Sequence, residues 1–272
     1  MRRFDVSPDA AAAFALLRRD WILTVSYRTT MVSSAVSLML GIALFHFISR
    51  LVRIESFSTA DEYFAYVVVG LVILQVLNSA FTSLPGAARQ ELVAGTFERL
   101  ALSPFGAARA ILAMTAFPLL YASATGLAML AFARLAFGMP VQWETVPLAI
   151  PVGALAALSF APFGLFAAAT VLIFKQAMSG MTWIVAAMAI VAGLYFPVSL
   201  LPDWLRWASD VQPFTPAVDL LRYLYVGQPL RYPLWLSVAK LVGFCVVLLP
   251  LSLLAVRRAL GIAARRGTIT EY

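Results

Sequence analysis

The chain has 272 residues, 62% of them hydrophobic and only 12% charged, with a formal net charge of +7. A soluble domain carries about 25% charged residues, and an apolar surface this large does not fit inside one water-soluble core, so the bilayer is its natural solvent. The excess of arginine does not point to nucleic acid: the basic residues sit in short segments between apolar runs, and no basic stripe interleaves with exposed aromatics.

Met1 to Asp5 leads into a mixed polar stretch, not into the apolar run of a cleaved signal, so the N-terminus is expected to persist. Pro8 to Tyr27 reads as an amphipathic helix. Phe14, Leu17, Trp21 and Val25 recur at helical spacing, with Arg18, Arg19 and Asp20 between them. Ser7 is a cap and Pro8 suits the first turn. Such a helix lies along the cytoplasmic interface or packs on other protein.

Six apolar segments of about the 20 residues needed to span hydrocarbon follow: Thr30–Ile48, Tyr63–Leu84, Ala110–Ala133, Val146–Phe174, Ala177–Val198 and Pro233–Val256. The fourth contains Pro147, Pro151 and Pro162 and is expected to tilt, kink or break there. Lys240 lies early enough in the sixth to snorkel to the outer surface. With both termini in the cytoplasm, thirteen of the 20 Lys and Arg residues fall on the inner side, which favours an N-in, C-in arrangement. Trp143, Trp204, Trp207, Tyr232 and Trp235 then gather as outer interfacial anchors. The expected fold class is all-α integral membrane, a single transmembrane unit over 1–272 with its interface helix at 8–27 and the six-span bundle over 30–256.

Two connections are long enough to carry structure: Pro85 to Arg109 inside and Ser199 to Tyr232 outside. The spans themselves lack chemistry. All thirteen acidic residues fall outside them, whereas ion-driven transporters keep ionisable groups near the midplane. No carbonyl filter or acidic ring marks a channel. The lone His46 reads as structural, and metal-ligand spacing is absent. The one cysteine, Cys245, rules out an intramolecular disulfide and a cysteine zinc site. Gln75 and Asn78 share a helix face and either hydrogen-bond between helices or line a substrate path. Phe117, Phe160, Phe163 and Trp183 are packing or lipid-facing residues, or touch cargo. No phosphate loop Gly-x-x-x-x-Gly-Lys-Ser/Thr is present, so no cofactor or metal is expected on this chain and none of its residues is assigned a catalytic role.

The inner connection reads Glu91-Leu92-Val93-Ala94-Gly95-Thr96-Phe97-Glu98-Arg99-Leu100, closed by Ser103-Pro104. Gly95 breaks the chain, Thr96 caps, and a short helix follows with Phe97 and Leu100 on one face, which suits docking into a groove of a soluble partner. The outer connection carries Phe196-Pro197, Leu201-Pro202-Asp203-Trp204, Pro213-Phe214-Thr215-Pro216 and Leu221-Arg222. Together the two resemble the permeases of ATP-binding-cassette exporters with the type-2 membrane-domain fold, where a Glu-x-x-x-Gly-Thr-hydrophobic-Glu element lies between spans two and three and a Phe-Pro…Leu-Pro…Leu-Arg segment between spans five and six.

The resemblance implies a homodimer in a bacterial-type inner membrane, with each copy docking one of two cassette ATPase subunits that hold ATP and Mg. It also implies a coupling helix within 95–103, contacted through Glu91, Gly95, Thr96, Phe97, Glu98, Arg99 and Leu100. The outer gate implied for 199–232 is built from two re-entrant helices, about Asp203–Ser209 and Ala217–Tyr225, and from Pro197, Pro202, Trp204, Pro213, Pro216 and Arg222. Lipid is a partner; nucleic acid is not. A pathway free of acids suits a hydrophobic, lipid-like or drug-like cargo. A lipid-linked polysaccharide, a nucleotide-independent facilitator or channel, and a membrane scaffold are the alternatives.

Overall fold

A computed structural model describes residues 8–52, 56–93, 107–174 and 178–265. All regular structure among these residues is helical. The helices are α1 (Pro8–Ser26), α2 (Arg28–Leu51), α3 (Ala60–Asn78), α4 (Leu84–Val93), α5 (Ala107–Met114), α6 (Ala116–Phe137), α7 (Val146–Phe174), α8 (Met178–Val191), α9 (Asp203–Val211), α10 (Phe214–Val226) and α11 (Leu234–Arg265). Five described stretches are long and apolar enough to cross a membrane: Arg28–Leu51, Ala60–Glu91, Arg109–Phe137, Val146–Phe174 and Leu234–Ala263.

α3 is the axis. Thr59 caps it by accepting from the Glu62 amide, with Asp61 and Glu62 in the first turn where the helix dipole favours them. Every residue from Tyr63 to Gly70 is buried, because α2, α6 and α10 pack around it. A helix apolar on all sides is buried on all sides. At Ser79–Ser83 the winding widens to a π turn. Thr82 Oγ1 donates to the Asn78 carbonyl (2.7 Å) and Ser79 Oγ reaches across to the carbonyl of Pro118 on α6 (2.9 Å). α4 then continues to Val93 and packs on α7.

The third expected span is divided. Thr115 separates α5 from α6, its amide and hydroxyl both bonding the Leu112 carbonyl (3.1 and 2.6 Å). Pro118 offers no amide to the helix before it. The fourth span does not break: α7 runs 29 residues with Pro151 and Pro162 inside it. Its buried face is rich in alanine (Ala156, Ala157, Ala161, Ala168 and Ala169). Small residues let α11, α10 and α4 approach closely, and this enclosing protein holds the helix through its prolines.

The fifth span is shorter than the sequence reading. α8 has 14 residues, about 21 Å at 1.5 Å each, against roughly 30 Å of hydrocarbon. Its end is set by Gly193, not Pro197. Gly193 takes φ +70°, and the Leu194 amide turns back to the Ala189 carbonyl (3.1 Å), the closure typical of a helix ended by a left-handed glycine. The chain then folds through a short 3-10 turn (Val198–Leu200) into α9 and α10, which occupy the places expected for the two outer helices and extend slightly beyond them. By contrast α2 and α11 expose most of their apolar surface in a single chain, including Leu40, Leu44, Phe47, Val246 and Val247.

A Cβ on Gly193 meets Val198 Cγ2 at 2.7 Å and the Phe196 carbonyl at 3.1 Å, in a left-handed backbone. Gly193→Ala should destabilise the protein by about 1–2 kcal/mol, read as a lower thermal unfolding midpoint in detergent, whereas alanine at Gly153, inside α7 with open space around it, should hold or raise the midpoint.

Candidate functional site

The polar residues gather at the two ends of the bundle. At one end α1 packs against α2, α5 and α6. Arg19 Nη1 donates to Glu91 Oε1 at the end of α4 (2.6 Å), and the same guanidinium grips Asp20 (Nε to Oδ1 3.0 Å). The Glu91 carboxylate is largely covered and the Arg19 side chain about a third exposed. These residues border a cavity of about 360 Å³ between α1, α4 and α6, with Ser79, Ser83, Gln90 and Tyr121 also on its wall. Phe14, Trp21 and Ile22 face away from the chain, so α1 presents an apolar surface outward while its charged side holds the bundle. Of the residues expected to meet an ATPase, Glu91 is therefore placed. Gly95, Thr96, Phe97, Glu98, Arg99 and Leu100 lie outside the described residues, as does Ser7.

At the other end α9 and α10 close over the bundle. Pro202 precedes α9 and Pro213 precedes α10, each at the N-cap position, where a missing amide costs nothing. Pro197 leads into the 3-10 turn, and Pro216 is buried in the first turn of α10. Arg206 fastens the turn to α9, donating to the carbonyls of Leu201 (2.9 Å) and Ser199 (2.6 Å) and pairing with Asp203 (2.7 Å). Ser209 Oγ ties α9 to the Val191 carbonyl at the end of α8 (2.6 Å). The α6–α7 connection reaches the same end: the Gln142 amide donates to the Tyr225 carbonyl (2.8 Å) and the Thr145 hydroxyl to that of Leu224.

Trp204 and Trp207 project from α9 at 73% and 64% exposure, with Trp143 and Trp235 similarly bare. Tyr232 Oη donates to Asp210 Oδ1 (2.8 Å), which pushes the phenol pKa up, with desolvation adding to it. Lys240 Nζ lies 4.1 Å from the centroid of the same ring.

Arg222 is unlike the other residues of this end. Its side chain is among the largest fully buried ones. Nε donates to the Tyr66 carbonyl (3.2 Å), and Nη2 to those of Gly193 and Leu194 (3.0 Å each). The guanidinium lies over the Tyr66 ring, and Tyr66 Oη donates to Gly193 O (2.9 Å). Tyr66, Gly193 and Arg19 were not singled out from sequence. Their only local signals were a tyrosine among valines, a glycine late in an apolar run and one of two adjacent arginines in an amphipathic helix.

Between these ends lies an apolar cavity of about 420 Å³, floored by Val72, Ile73 and Val76 of α3 and walled by α6, α7 and α10. Ser123 and Tyr225 supply its hydroxyls. Gln75 and Asn78 do not line it; they are half-buried, and among the described residues neither side chain makes a hydrogen bond. Phe160 and Phe163 pack against Phe214 of α10, Phe117 stacks on Tyr121, and Trp183 is exposed. His46 is buried beside Phe64 and Phe137, and its Nε2 accepts from Arg50 Nε (3.3 Å).

The Arg19–Glu91 pair generates a prediction. A double-mutant cycle with Arg19→Ala and Glu91→Ala should return a coupling of roughly 0.5–1 kcal/mol that shrinks at high salt; additive losses of thermal stability would show that the contact holds nothing.

Comparison with known proteins adds a family. Residues 11–226 match the family model described as ABC-2 type transporter, a stretch running from α1 to the end of α10. A segment of 119 residues is 28% identical to Nodulation protein J of Rhizobium meliloti (strain 1021), covering 44% of this chain and 45% of that protein. One of 88 residues is 30% identical to Nodulation protein J of Rhizobium leguminosarum bv. trifolii, covering 32% and 34%. The matched stretch spans less than half the length of either relative. With the family model running from the amphipathic helix through the outer helix pair, the chain belongs to the ABC-2 type transporter family, as a membrane-spanning permease component.

Proposed function

We propose that this chain is the membrane half of an ATP-driven exporter of the bacterial inner membrane. In this reading it crosses the bilayer six times with both termini inside. Two copies form the pathway, and each copy docks one separate cassette ATPase that holds ATP and Mg. The observation that carries the reading is the family match over 11–226. The arrangement of the ends supports it. α1, the end of α4 and the start of α5 meet at one end of the bundle, toward which eight of the fourteen described Lys and Arg residues fall, as on a cytoplasmic face. The segment between Val93 and Ala107 joins α4 to α5 at that end, and its Gly-Thr-Phe-Glu sequence suits a docking helix for the ATPase.

The short α8 counts as the fifth span in this topology, its length completed by the folded turn and α9–α10, whose irregular backbone is sheltered by protein. The exposed apolar faces of α2 and of α8 at Trp183 suit a second copy and lipid. An apolar cavity of about 420 Å³ is within the usual size of a small-molecule site and suits a hydrophobic, lipid-like or drug-like cargo.

Reconstituted with its cassette ATPase in vesicles, the complex should move a hydrophobic dye only when ATP and Mg are supplied. Phe97→Ala and Glu98→Gln should leave the permease folded while dye movement per ATP hydrolysed falls at least about tenfold. Dye movement down a gradient with no ATPase present would overturn the reading in favour of a facilitator, and co-purification of an ATPase without any transport would favour a scaffold.

A further inference from the structure

We propose that Arg222 latches the outer helix α10 to α3 and to the end of α8, so that the outer gate moves as one body with α3. The proposal rests on the exporter reading for its purpose, but its geometry stands alone. Arg222 reaches across the bundle to three main-chain carbonyls, two of which, on Gly193 and Leu194, lie past the end of α8 where no helical amide reaches them. These carbonyls, together with the Tyr66 ring and hydroxyl, surround the guanidinium. Among the described residues no carboxylate lies within ion-pair distance of it.

The backbones have been brought together to allow this. A Cβ on Gly70 would stand 2.0 Å from the Leu194 carbonyl oxygen and 3.1 Å from Arg222 Nη2. α3 therefore presses its bare backbone on the turn after α8, one helical turn beyond Tyr66. A planar fork with several fixed donors suits several carbonyls at once; an ammonium does not.

The other end of the same rod makes this mechanical. Ala60–Glu91 is one helical run of 32 residues, about 48 Å at 1.5 Å per residue. Its outer half is gripped by Arg222, and its inner end by Arg19 through Glu91. Between the grips lies the π turn at Ser79–Ser83, a winding that recurs at functional joints. A displacement entering at Glu91 reaches α10 without crossing a flexible loop. Arg222 acts here as a positioning residue: it touches no cargo and sets which span the gate follows.

The test uses the full chain with its cassette ATPase in lipid nanodiscs, with Cys245→Ala and nitroxide labels on Asp61→Cys and Gln228→Cys. Both positions border one small cleft between the start of α3 and the end of α10. In the parent, with labelled copies diluted into an excess of unlabelled ones so that only the distance within one copy is read, the label distance should be single, and the same without nucleotide and with nucleotide trapped by vanadate. Arg222→Lys should broaden or split that distance already in the nucleotide-free state. Gly70→Ala should do likewise with the guanidinium intact, and Tyr66→Phe should broaden it less.

A parent distance that shifts by about one helical turn (~5 Å) or more on trapping overturns the proposal. So does an Arg222→Lys protein that is folded and as narrow as the parent. If that variant does not fold, the parent comparison and Gly70→Ala still decide. Failure of the exporter reading would show differently, as no trapping of ATP by the parent complex, and the nucleotide-free distances do not depend on it.

Discussion

The guanidinium of Arg222 sits where water does not reach, against main-chain oxygens and an aromatic face. Removing an ion from water costs several kcal/mol even after relaxation. Each hydrogen bond to a charged group returns about 1.5–3 kcal/mol, and a desolvated cation over an aromatic ring about 2 kcal/mol. Three carbonyls, the Tyr66 ring and the nearby Asp219 charge are what offset that cost. That balance sets a constraint on the elements around it. α3, the turn after α8 and α10 must all be present and close together, or the charge is stranded. Gly70 and Gly193 are the local adaptations to that constraint. One leaves room for a carbonyl and the other turns the chain so that two carbonyls face inward.

The remaining packing follows from the same centre. With α3 enclosed by α2, α6 and α10, α6 and α7 lie partly in the core and partly against the surroundings. The outermost, α2 and α11, expose most of their apolar surface. In water such faces would drive aggregation; in a bilayer they cost nothing, since lipid tails are as apolar as leucine. Specific contact in this bundle is therefore made by shape and by polar ties. Alanines on α7 supply the first, and the carbonyl-directed bonds of Ser79, Ser209, Thr145 and Arg222 supply the second.

The sequence revealed the elements whose cause is local. Runs of apolar residues located the long spans, because length and hydropathy alone decide what can cross hydrocarbon. The two outer helices, implied by the resemblance at about Asp203–Ser209 and Ala217–Tyr225, run Asp203–Val211 and Phe214–Val226, and each follows a proline that acts through its own backbone. Where the cause is tertiary the reading missed. The fifth span was carried on to Val198, since hydropathy does not fall at Gly193; only the left-handed turn ends it. Of the tilt, kink or break expected at the prolines of the fourth, the break does not occur: the helix is continuous from Val146 to Phe174, held through its prolines by the surrounding protein. The partners of Arg222 lie up to 156 positions away, and no periodicity states which carbonyls will lack a donor. Arg222 itself was noticed as part of a motif, but its burial was not. The segment with Thr96, Phe97 and Glu98 is known from sequence alone.

The location of the polar groups also limits how energy can enter. Among the described residues the five long apolar stretches carry acidic side chains only near the two ends of Ala60–Glu91, at Asp61, Glu62 and Glu91, while Asp219 lies mid-way along α10, close enough to act on Arg222. On the exporter reading proposed above, work enters the chain as displacement of a rigid element. α3 with α4 is a helical run tied by charged side chains towards both of its ends, to α1 through Glu91 and to α10 through Tyr66. A rod held only at its inner end would swing free of α10, and one held only at its outer end would not pass a displacement from α1 along the bundle. Since each tie joins α3 to a different neighbour, the two ends need not move alike, and the π turn between them is the place where a difference can be taken up by a change of winding without parting the α3–α6 packing.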